Sequence, residues 1–158
     1  MKKIILFIMG IVCTVTGAQA QIPMESPLHP VHWTYHVEKL EGRLYKLYIT
    51  AIIQPGWHLY SQHQPENAIA IPTSIKFNND SLVLFKGKPL EKGTIERYEN
   101  KTLDISANQY AGTVNFIQEI TLLDNEPVRI TGDITYQVCM EDECLPPGVT
   151  KFSIILNN

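Results

Sequence analysis

The sequence predicts an all-β domain built as an antiparallel sandwich, on three observations. Apolar and polar residues alternate along most of the chain, turn formers recur between the alternating runs, and no stretch sustains the 3.6-residue apolar period of a helix. The first strand falls at residues 33–37, where Trp33, Tyr35 and Val37 share one face and Thr34 and His36 the other. Leu44–Ile53 follows, dense in β-branched and aromatic residues, and Ser74–Phe77, 82–85, Thr113–Leu122, 128–138 and 151–156 complete the set. Gln54-Pro55-Gly56, Asn78-Asn79-Asp80, Gly87-Lys88-Pro89, residues 124–127 and Pro146-Pro147-Gly148 punctuate them as turns. Short strands at this spacing in one small domain, residues 32–158, indicate an immunoglobulin-like sandwich.

The N-terminus reads differently. Lys2 and Lys3 precede an apolar run over residues 4–15, and Ala18-Gln19-Ala20 follows, the pattern of a secretory signal peptide cleaved after Ala20. The run falls short of the roughly 20 apolar residues needed to cross a bilayer, so a soluble exported protein without direct membrane insertion is expected. Cys13 lies within the run, is not preceded by the small residue of a lipoprotein site, and should be discarded with it. Residues 21–31, with three prolines, read as an extended leader. Cleavage takes away two lysines and no acid, so the formal charge moves from −3 to −5. Without a basic tract, no nucleic-acid partner is expected.

Two cysteines remain, Cys139 and Cys144, in a compartment that permits disulfides. In strand 128–138, Val128, Ile130, Ile134, Tyr136 and Val138 share one face, which puts Cys139 with Arg129, Thr131, Asp133, Thr135 and Gln137 on the polar one. Met140-Glu141-Asp142-Glu143 makes a tight hairpin connection, so the cysteines face each other across an antiparallel pair, within disulfide reach. A sandwich's structural disulfide instead crosses the core between residues far apart in sequence. A bond closing so short a loop gives less than the about 3 kcal/mol assigned to loops of roughly 15 residues. Spacing alone leaves two uses open, a loop staple, the commoner, and a redox pair. A zinc site would need a second ligand pair, which is missing, and no cofactor motif is present.

The segment Tyr136-Gln137-Val138-Cys139, four residues, then Cys144-Leu145-Pro146-Pro147 resembles the active-site hairpin of the N-terminal periplasmic domain of the thiol:disulfide interchange protein DsbD. Pro55-Gly56-Trp57-His58-Leu59-Tyr60-Ser61 is similar to the same family's Gly, aromatic, aromatic, Leu, Tyr segment. The resemblance implies an immunoglobulin-like domain that takes electrons from a membrane-embedded partner and passes them to thioredoxin-like periplasmic proteins. It implies Cys139 and Cys144 as the redox pair, with Cys144 the one that joins partners, and His58 and Tyr60 lining the site. The family shields its cysteines with a cap loop carrying an aromatic residue after acids, and Glu96-Arg97-Tyr98 is the loose match here. The hairpin is one residue tighter than the family pattern. The chain ends at Asn158 without the family's transmembrane and thioredoxin-like domains, so the reductant is expected on another chain.

Glu141, Asp142 and Glu143 beside the cysteines should disfavour a thiolate and slow exchange until a partner docks, besides making a solvated hairpin tip. His29, His32 and His36 have helix-like spacing, but Pro27 and Pro30 forbid a helix, so they read as surface residues of a leader and an edge strand rather than metal ligands. Trp33, Tyr35, Tyr45 and Tyr48 read as core aromatics. The function expected is a periplasmic thiol-disulfide carrier. The alternative is a non-enzymatic binding or assembly module stapled by an inert disulfide.

Overall fold

A computed structural model describes residues 29–141 and 143–157; residues 1–20, expected as a signal peptide and including Cys13, and most of the expected leader lie outside them. Among the described residues there are twelve strands: β1 Val31–Lys39, β2 Leu44–Ile53, β3 His58–Tyr60, β4 Ser74–Phe77, β5 Val83–Lys92, β6 Ile95–Asn100, β7 Ile105–Tyr110, β8 Thr113–Leu122, β9 Val128–Tyr136, β10 Val138–Met140, β11 Glu143–Cys144 and β12 Gly148–Leu156. They form three antiparallel sheets, ordered β1-β2-β8-β5, β12-β9-β4 and β11-β10-β3-β7-β6.

The first two sheets face each other, because their strands alternate and each has one largely apolar face, interrupted in β8 by buried Gln118. In β2, Tyr45, Leu47, Ile49, Ala51 and Ile53 are buried, and Val114, Phe116, Ile120 and Leu122 answer them from β8. The opposing sheet supplies Val128, Ile130, Ile134, Phe152 and Leu156. Each such side chain contributes roughly 1.5–3 kcal/mol on leaving water. Aromatic contacts tie the layers, with Trp33 of β1 meeting Phe116 at 5.9 Å and Tyr136 at 5.3 Å between ring centroids.

Several expectations need correction. Tyr48 is not in the core: the period of two that buries Tyr45, Leu47 and Ile49 turns it outward, where its hydroxyl donates to Glu38 at 2.6 Å. Gly87-Lys88-Pro89 does not separate strands but sits inside β5, where the register slips between Lys86 and Leu90, and Gly87 takes φ 65°. That is a bulge, which tolerates a proline and favours a left-handed glycine. Strands β3, β6, β7 and β11 carry no alternation long enough to declare them, and they make up most of the third sheet.

Strand 128–138 also breaks. β9–β10 and β11–β12 are two legs of one hairpin, with Tyr136 opposite Gly148 and Cys139 opposite Cys144. The Leu145 N–H donates to the Val138 carbonyl at 3.0 Å, so Gln137 alone opposes Pro146 and Pro147. Two residues against one make a bulge, and the prolines have no N–H with which to repair the ladder. Beyond it the hairpin tip leaves β4 and pairs with β3 instead.

Gly132 shows how closely the second sheet is packed. It lies in register with Phe77 of β4 and Phe152 of β12, whose rings meet edge to face at 5.6 Å. A Cβ there would collide with the Lys76 carbonyl and the Phe152 ring. Gly132→Ala is therefore expected to destabilise the domain by about 3 kcal/mol or more in urea denaturation. A loss below about 1 kcal/mol would mean that this packing is loose.

Candidate functional site

The third sheet has two unlike faces. Leu59, Tyr110 and Val138 point into the core, together with Trp57 just before β3. The alternate positions His58, Tyr60, Tyr98, Ala107, Gln109 and Cys139 line a cavity of about 630 Å³ on the other side. Every residue the sequence singled out for the site except Glu96 lines this cavity, and Glu96 reaches it through His58: the imidazole Nε2 lies 3.3 Å from the Glu96 carboxylate. When the imidazole is protonated this contact is an ion pair, tying β3 to β6 across β7.

Cys139 and Cys144 form a disulfide between directly opposed residues, their Cα atoms 4.0 Å apart. Glu141 turns the hairpin tip in a left-handed conformation, φ 52°, so the connection is tighter than expected: Met140 and Glu143 are still paired. The period of two does place Cys139 away from the core, but the face it joins is not polar. Cys139 is 3% exposed, in a small cluster with Tyr60 and Ala107 against which Tyr98 and Ala70 pack. The bulge is the reason, since it moves the tip of the hairpin onto β3, where His58 stands opposite Cys139. Cys144, on the edge strand, is exposed. Glu96, Arg97 and Tyr98 form no cap loop; they belong to edge strand β6, whose pairing with β7 sets Tyr98 opposite Ala107 and so against the cysteine cluster.

The sulfur atoms are distinguished by one hydroxyl. Tyr60 donates to Cys139 Sγ at 2.9 Å and lies 3.9 Å from Cys144 Sγ. Burial first, and the neighbouring Tyr98 phenol second, push the Tyr60 hydroxyl above its ordinary pKa, so it stays a donor at neutral pH. Among the described residues no group of three or more histidine, cysteine, aspartate or glutamate side chains could hold a metal ion.

Two supporting residues had no signal in the sequence. Gln137, the single residue of the bulge, donates from Nε2 to the Leu145 carbonyl at 3.2 Å and accepts the Ile71 N–H on Oε1 at 3.0 Å, fixing the hairpin to the loop over residues 61–73. Glu91 of β5 accepts the Ser61 hydroxyl at 2.6 Å, the Gln62 N–H at 2.5 Å and the Tyr110 hydroxyl at 2.8 Å, anchoring the end of β3. Apart from Leu145, eight residues on, their partners lie 19 to 66 residues away in the chain, beyond any local pattern.

The model of the family described as "Thiol:disulfide interchange protein DsbD, N-terminal" matches residues 26–155. The chain belongs to this family. Among solved structures, the reduced DsbD N-terminal domain of Neisseria meningitidis is similar at 19% identity and a TM-score of 0.52, over 80% of this chain and 86% of that one. The N-terminal periplasmic domain of ScsB from Proteus mirabilis matches at 18% identity and a TM-score of 0.51, over 78% of this chain and 44% of that one, so this DsbD-family chain spans less than half its length. Both share the immunoglobulin-like fold. No curated protein matches the chain in sequence.

The Glu91 anchor gives a pH dependence. Burial first, then the hydrogen bond to Glu91, push the Tyr110 phenol up to about 12. The folded state thus holds this proton more tightly than the unfolded chain does. The stabilisation is complete below about pH 10 and is lost as pH rises towards 12. Denaturation midpoints should fall across that window, less steeply for Tyr110→Phe than for the parent. Equal slopes would remove Tyr110 as the cause.

Proposed function

We propose that this chain is a periplasmic thiol-disulfide exchange carrier, its residues 1–20 removed on export, and that Cys144 is the sulfur that meets partners. Family membership supports the exchange chemistry. The observation that carries the assignment is the asymmetry of the pair: Cys144 is exposed, whereas Cys139 is buried and bonded to the Tyr60 hydroxyl.

Exchange proceeds by in-line attack of a thiolate on a disulfide sulfur. A donor's thiolate attacks Cys144 Sγ, the Cys139–Cys144 bond breaks, and a donor–Cys144 disulfide forms. Cys139 leaves as a thiolate, which the Tyr60 hydroxyl stabilises. The donor's second thiolate then displaces Cys144, so the donor becomes a disulfide and the pair gains two electrons and, from solvent, two protons. Delivery reverses these events: Cys144 attacks the disulfide of a thioredoxin-like acceptor and Cys139 resolves the mixed disulfide. Glu141 and Glu143 beside the pair hold back the thiolate until a partner covers them, and a membrane-embedded thiol reductant is the donor this reading requires.

The test is trapping. Cys139→Ser, expressed in the native periplasm and acid-quenched, should accumulate reducible higher-mass adducts containing a thioredoxin-like protein, and Cys144→Ser should give few. Adducts from neither would favour the stapled module, and equal trapping would refute the division of roles. The Tyr60 contribution is separable: a hydrogen bond to a charged group is worth about 1.5 kcal/mol or more, so Tyr60→Phe should slow reduction by dithiothreitol about tenfold. An unchanged rate would exclude the hydroxyl from the reaction.

A further inference from the structure

The cavity beside the disulfide holds more apolar surface than the two sulfurs account for. Beyond Tyr98 and Ala107 it is walled by Ile69, Ala70, Leu103 and Ile105. Ile69 is 78% exposed and Leu103 64%, a costly arrangement for large aliphatic side chains unless something covers them.

Both are held in place. The Asn100 carboxamide oxygen accepts the Thr102 and Leu103 N–H groups, each at 3.1 Å, fixing the turn that carries Leu103. Asn67, two residues before Ile69, donates to the Asp104 carbonyl at 3.0 Å and accepts the Ser106 hydroxyl at 2.6 Å. The loop bearing Ile69 is thereby joined to the turn bearing Leu103, so the two lips of the cavity form before any ligand arrives. Such preorganisation lowers the entropic cost of docking.

Apart from His58, the ionisable groups that give the site its charge are acids. Glu141 lines the cavity, Glu96 closes one wall through His58, and Glu143 adjoins Cys144. No lysine or arginine lines the cavity among the described residues.

On the exchange reading above, we propose that this cavity is the docking pocket for the partner that reacts with Cys144, taking an apolar side chain next to the partner's thiol between Ile69 and Leu103 and selecting partners with positive charge around that thiol. A thiolate approaching exposed Cys144 brings the surface around it over the mouth of the cavity, because Cys144 is part of the lining. The volume of about 630 Å³ accepts one or two large side chains. The acids both complement a basic rim and repel an acidic one.

The test compares reduction rates of the intact domain by dithiothreitol and by two reduced thioredoxin-fold proteins, one with lysines around its C-x-x-C motif and one with those lysines changed to glutamate. Ile69→Ala with Leu103→Ala alters only exposed side chains and no charge. It should slow the lysine-bearing protein at least tenfold and leave the dithiothreitol rate unchanged. The parent should prefer the lysine-bearing protein at low salt, with the preference shrinking at high salt. Equal protein rates for parent and double variant would overturn the pocket, and equal rates for the two proteins at low salt would overturn the charge selection. A concentration-dependent dimer of the parent that the double variant loses would give the pocket to a second copy of the chain and refute the proposal. Failure of dithiothreitol to reduce the folded parent would instead sink the exchange reading, and the docking proposal with it.

Discussion

Two adjacent prolines govern where this domain keeps its disulfide. Pro146 and Pro147 have no amide hydrogens, so the long hairpin of β9–β10 and β11–β12 cannot hold its ladder past Gln137. One residue then opposes two, and a bulge of that kind bends and re-aims the strand. The tip exchanges β4 for β3 as its neighbour, and this puts Cys139 opposite His58 and beside Tyr60. An unbroken hairpin would have kept Cys139 on the outer face of β9 with Asp133 and Thr135.

The bulge also separates stability from chemistry. The face of the third sheet carrying Trp57, Leu59, Tyr110 and Val138 is continuous with the main core, whereas the opposite face holds only a small cluster around Cys139. Substitutions at the site should therefore alter reactivity without unfolding the sandwich. The two faces are nevertheless mechanically joined, since Glu91 grips Ser61, Gln62 and Tyr110 at once. The position of Tyr60, and through it the environment of Cys139, rests on a carboxylate that never approaches the sulfur atoms.

Burial and exposure distinguish the two cysteines of the pair. The Cys139 sulfur is buried against Tyr60, Ala107 and Tyr98, while Cys144 on a two-residue edge strand is exposed. The acids near it and the apolar lips beyond it give the open side a chemical character of its own. On the proposed reading, small thiols meet only Cys144, whereas a protein partner also meets the cavity and its acids.

By itself the sequence determined the sandwich and its core faces, because alternation in β1, β2, β8 and β9 is a local property that each strand carries wherever it packs. It also determined the opposed cysteines, since a short turn between them leaves few other geometries, and through resemblance it marked His58, Tyr60, Glu96 and Tyr98. It misjudged Tyr48, the break at Gly87 and the polarity around Cys139. It missed β3, β6, β7 and β11, which are short or mostly exposed and whose pairing is decided by neighbours far along the chain. Only the tertiary structure placed Tyr60 on Cys139, Ser61 on Glu91 and Asn67 on Asp104. Those contacts join segments 30 to 79 residues apart through single side chains, and no periodicity in a linear sequence encodes a meeting of that kind.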